Sequence, residues 1–124
     1  MPESALGHWL RGLREARGLS LRDVAQRAEV DHAYVHRLET GAKEAPSEDV
    51  VDNLVSALKP SARDADILRL LASQSNVDPR LAEFTRVNED VTFDEFRMLT
   101  TVVNRGARPD YPTSLARVRR FMRE

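Results

Sequence analysis

Two short helical patterns, LRDVAQRA at 21–28 and HAYVHRLE at 32–39, stand only three residues apart. Neither is long enough to be stable alone, and so short a connection makes the pair cross steeply and share one core. Ala25 supplies the small residue needed where two such helices approach. Val24, Ala28, Val30, Val35 and Leu38 supply apolar inner faces. The second pattern is left with a polar outer side, carrying His32 and His36, that a core does not use. A helix held this way can project from its domain and enter the major groove of a duplex, which is wide enough to admit it.

Helical periodicity runs through the rest of the chain, and alternating strand-like runs are scarce. Ser4 caps a first helix with Leu6, Trp9, Leu10, Leu13 and Ala16 on one stripe, ended by Gly18. Ser20, with Asp23 three residues on, opens the second; Asp31 opens the third, closed by Gly41. Pro46-Ser47 begins a fourth helix, whose Val50, Val51, Leu54, Val55 and Leu58 face inward. Pro60-Ser61 begins a fifth, with Ile67, Leu68 and Leu71. SQSNVDPR, residues 73–80, is a polar break that reads as a linker. Beyond it come a turn or two of helix in PRLAEF and a helix running from a Thr92/Glu95 capping box toward Asn104. RGARPDYPT then connects to a closing helix, SLARVRRFM. The expected fold is all-α: a five-helix unit over 1–72, a linker at 73–80 and a smaller helical unit over 81–124.

Composition narrows the function. Net charge is −1, and neither half is basic: residues 1–60 hold 8 Lys/Arg against 10 Asp/Glu, residues 61–124 hold 11 against 10. Any grip on DNA must therefore gather its positive groups on one face. The chain has no cysteine, which excludes disulfides and thiolate metal sites. No apolar run approaches membrane-spanning length, and MPESALGHWL lacks the pattern of a signal peptide, so a cytoplasmic protein is expected. Gly-rich phosphate loops, Ser/His/Asp groupings and carboxylate–histidine motifs are missing, so neither an enzyme, a cofactor nor a small-molecule substrate is expected. His32 and His36 have metal-pair spacing, but no third ligand follows nearby, so no metal is expected.

RxxRGLSLRDVAQRAEVDHAYVHRLETG resembles the phage-repressor and Cro type (XRE) helix-turn-helix domain, and the similarity spans residues 4–58. The resemblance implies a lambda-repressor-like fold that binds an operator in double-stranded DNA, in a bacterial or phage-encoded regulator located with the nucleoid. It places base-reading residues at His32, Ala33, His36 and Arg37. Arg37 suits the two acceptors of guanine, His32 a donor contact to a base edge, and the Ala33 methyl a thymine methyl. Ser20, Arg22, Tyr34 and Lys43 are implied phosphate contacts, although Tyr34 also reads as packing against the first helix. Arg14 and Glu39 match positions that form a structural ion pair under the reading helix. Where the family usually has glycine in the turn, this chain has Glu29, so a side-chain-bearing residue must take the left-handed conformation at some cost.

Residues 81–124 are rich in large apolar groups for so short a unit, which points to completion of the core by a second copy. Phe93, Phe96, Leu99, Val103, Leu115 and Phe121 are the expected homodimer contacts; the other reading packs such groups on the fifth helix of one chain. The tail FDEFRMLTTVVNRGARPDYPTSLARVRRFM is similar to the end of the DdrO radiation-response repressors, relatives of the ImmR-type repressors of mobile elements. That resemblance implies a DNA-damage role and a metallopeptidase partner that cuts near Asn104-Arg105, undoing the dimer. The rival class is an antitoxin whose C-terminal unit neutralises a toxin while its N-terminal unit autoregulates the operon.

Overall fold

A computed structural model describes residues 4–41, 45–101 and 110–123, and among these it contains eight α-helices and no strand. They are α1 (Ala5–Ala16), α2 (Leu21–Ala28), α3 (His32–Thr40), α4 (Glu48–Leu58), α5 (Ala62–Ser73), α6 (Pro79–Val87), α7 (Phe93–Thr100) and α8 (Tyr111–Arg123). The boundaries follow from caps. Ser4, Ser20, Asp31, Ser47, Ser61, Asp78 and Thr92 each accept a backbone N–H of the helix they precede. Ser20 with Asp23, and Thr92 with Glu95, form reciprocal capping boxes. Glu29 ends α2 at φ 58°, ψ 43°, the left-handed conformation that costs a residue with a Cβ.

α2 and α3 pack on each other, with α1 crossing α3 and α4 closing over α2. The crossing of α1 and α3 is unusually close. A Cβ on Gly7 would lie 2.4 Å from the carbonyl oxygen of Glu39 and 2.7 Å from that of Leu38, contacts against backbone that cannot swing aside. Gly7→Ala is therefore expected to destabilise the fold by about 1–3 kcal/mol, an overpacking cost. A melting temperature equal to that of the parent chain would show that the helices can part freely.

The C-terminal helices do not stand apart. α6 lies along α1, and α7 packs on α5 and α8, so that Trp9, Leu10, Leu68, Leu81, Phe96 and Leu115 belong to one continuous cluster. Polar contacts reinforce the seam. The His8 Nε2 bonds the Glu83 carboxylate, and Arg63 donates to the Val91 carbonyl at 2.9 Å while its guanidinium sits 5.8 Å from the Trp9 ring centre. Arg86, the main cause, and His8 hold the Glu83 carboxyl down at about 2. The stretch expected to be a linker is fastened at its end. Val77 is buried, and Asp78 both caps α6 and accepts the Tyr111 hydroxyl at 2.7 Å.

Phe96, Leu99 and Leu115, expected as contacts between copies, are 0%, 2% and 8% exposed inside their own chain. Phe93 is half-buried against the same core, and Phe121 is 68% exposed. The physical reason is that α1 and α5 already supply the apolar cover that a short helical unit needs. Val103 lies outside the described residues. α6 is longer than the turn or two expected, and α8 begins at Tyr111, ahead of the expected start at Ser114.

Candidate nucleic-acid interface

The surface of interest is built on the short connection between α2 and α3. Capping by Asp31, whose carboxylate accepts the Ala33 N–H at 3.0 Å, starts α3 immediately after the turn. Val35 and Leu38 then point inward at 0% and 1% exposure, which fixes the rotation of the helix. His32, His36 and Arg37 consequently face solvent, with Ala33 half-exposed among them. These four expected base-reading positions lie on the outer side of a single helix. None of His32, His36 and Arg37 bonds its side chain across to another helix among the described residues; His32 approaches only the cap carboxylate of Asp31, at 3.6 Å.

Support comes from below. Arg14 Nε and Nη2 donate to the two carboxylate oxygens of Glu39 at 2.7 and 2.9 Å, and Arg14 Nη1 donates to the Leu19 carbonyl at 3.0 Å. Glu39 is 5% exposed, so the paired carboxylate keeps the Arg14 guanidinium more firmly protonated than usual, against the cost of burying it. This fork ties α1, the loop before α2 and the end of α3 together. It orients α3 without reaching its outer side.

The expected phosphate contacts divide. Arg22 is exposed on α2. Ser20 is exposed, but its hydroxyl accepts the Asp23 N–H at 3.0 Å and its own N–H donates to Asp23 at 2.9 Å. The bond from the Ser20 backbone lowers the Asp23 carboxyl below its ordinary range, so a negative charge already occupies the amide end of α2. Tyr34 is half-buried against the core, which favours its packing reading. Lys43, Asn104 and Arg105 lie outside the described residues.

Sequence reasoning missed Gly7, whose missing side chain lets α1 approach α3. A glycine within a run of good helix formers was the available signal. It also missed His8–Glu83, which no local spacing reveals. No group of three or more His, Cys, Asp or Glu able to hold a metal occurs among the described residues, and no helix there is long and apolar enough to cross a membrane.

No curated protein is similar enough to the chain to count as a match. A family model described as a helix-turn-helix domain does match, over residues 5–73, the segment from the start of α1 to the end of α5. More than half of the chain is matched, and with it both the α2–α3 pair and the helices that hold it. The chain belongs to the helix-turn-helix domain family, that of DNA-binding regulators.

Proposed function

We propose that the chain is a sequence-specific transcriptional repressor, binding a palindromic operator as a homodimer with α3 of each copy in the major groove. The observation that carries this reading is the outer side of α3, where His32, Ala33, His36 and Arg37 lie together on a helix braced by the Arg14–Glu39 fork. One such helix contacts too few base pairs to select a site in a genome, and two copies reading half-sites one turn apart meet that need. With Phe96, Leu99 and Leu115 spent inside the chain, the large apolar groups left exposed for a second copy, among the described residues, are Phe121 and Met122 at the end of α8 and Val87 at the end of α6. Cutting near Asn104-Arg105 would sever α8 from the rest of the chain, and loss of the linked second half-site would weaken binding without altering any DNA contact.

Selection of bound duplexes from a random library tests the reading. A two-fold symmetric site should emerge, and sedimentation should show a dimer on it. Arg37→Ala should then weaken binding to that site by about 1–3 kcal/mol and relax preference at one base pair. If random duplexes lose as much affinity as the selected site, Arg37 holds phosphate instead of reading a base.

A further inference from the structure

Net charge is −1, so any hold on a polyanion must come from a local concentration of cations. Among the described helices, α8 alone carries basic residues and no acidic one. Its arginines do not share one task. Arg119 is turned to Glu95 and Asp90, at 2.9 and 3.0 Å. Arg117, Arg120 and Arg123 are exposed. Arg117 lies within electrostatic reach of Asp110, whose carboxylate is also bonded to Thr113. Arg120 and Arg123 have no ionic partner among the described residues; Glu124, which follows, lies outside them. Tyr111, Ser114, Leu115 and Val118 point inward, which leaves the three exposed arginines, spaced every third residue, as an outer stripe about 9 Å long. Arg120 and Arg123 line a groove with Pro112, Leu115 and Ala116, and no acid takes part in that lining.

We propose that the Arg117, Arg120 and Arg123 stripe of α8 is a second, sequence-independent contact to the phosphate backbone of duplex DNA. This inference rests on the DNA-binding reading above and adds a holding surface to the reading helix, since phosphate contacts position and base contacts specify. Charge complementarity carries it. The planar guanidinium fork matches phosphate oxygens two at a time. A duplex presents one negative charge per about 1.7 Å of its axis, so a stripe of this length spans several. A second copy laid on the same stripe would bring like charges together, which opposes association there. Cations in the last turn of a helix also complement its dipole, but that role leaves the salt dependence of DNA binding unmoved.

The experiment measures binding of the full chain to a random-sequence duplex of about three helical turns, by fluorescence anisotropy across a salt series. Arg120→Gln/Arg123→Gln keeps good helix formers at two exposed positions, so its circular dichroism should match the parent. Its slope of log affinity against log salt should be shallower by about 1.8 per bound chain, at about 0.9 for each arginine. Arg120→Lys/Arg123→Lys should keep the parent slope, because an ammonium still neutralises a phosphate. Arg69→Gln/Arg97→Gln removes as much charge from exposed arginines paired with Asp52 and Asp94, and should keep the parent slope too. The proposal is overturned if the Arg120/Arg123 glutamine pair moves the slope by less than about 0.9, the result expected of a stripe that meets an acidic protein. It is also overturned if the lysine pair or the Arg69/Arg97 pair moves the slope as far. Loss, in the glutamine pair, of an association that sedimentation shows for the parent would assign the stripe to contact between copies instead. A parent chain that binds no duplex at any salt concentration refutes the DNA-binding reading itself, and the stripe's role with it.

Discussion

Glu39→Ala should cost about 3–5 kcal/mol of folding stability, the usual effect of stranding one member of a buried ion pair. The carboxylate is 5% exposed and receives both arms of the Arg14 fork, so its removal leaves a guanidinium without its hydrogen-bonded anion in a place with little water. Only the Leu19 carbonyl at 3.0 Å remains to Arg14. Urea unfolding followed by circular dichroism gives the value. The double change Arg14→Met/Glu39→Leu should lose much less, because replacing both partners by apolar groups of similar volume leaves nothing unpaired. A single variant within about 1 kcal/mol of the parent would mean that water reaches Arg14 and that the fork is a surface pair.

Phe96→Ala is expected to be as damaging, at about 3–5 kcal/mol, the range for emptying a fully enclosed aromatic site. Phe96 is 0% exposed on α7 and belongs to the same cluster as Trp9 of α1. The more telling readout is where the loss is felt. Trp9 fluorescence, reporting on the helix-turn-helix half, should shift its unfolding midpoint together with the far-ultraviolet signal, in one transition. Two separated transitions, with the Trp9 signal unmoved, would show that residues 79–123 unfold as a body of their own.

Those two residues also mark what the sequence could and could not reveal. The helices were legible because their signals are local. Ser4, Ser20, Asp31 and Thr92 occupy cap positions before amphipathic runs, and the structure uses each of them as a cap. The left-handed turn at Glu29 was implied by resemblance to a family that usually has glycine there, and the structure shows that conformation. The polar side of α3 was readable by subtraction once Val35 and Leu38 were assigned to the core. Tertiary partnership was not. An apolar face on α7 or α8 says that something must cover it, and a second chain and one's own α5 satisfy that demand equally well. Phe96 and Leu115 therefore looked like contacts between copies although the packing of α7 on α5 and α8 encloses them. The polar run at 73–80 read as a linker for a related reason. Its anchoring depends on Tyr111, far along the chain, whose hydroxyl reaches Asp78. Burial, the leading effect, and that bond raise the Tyr111 hydroxyl well above its ordinary range, so it stays a donor throughout the physiological range.

α1 is gripped from two sides: Gly7 lets α3 settle onto its backbone, and His8, on the next step round the helix, is bound by α6. The helix thus works as a shared axle, with α3 mounted on one flank and α6 on the other. A tilt of α6 would therefore bear on the same α1 backbone against which α3 rests.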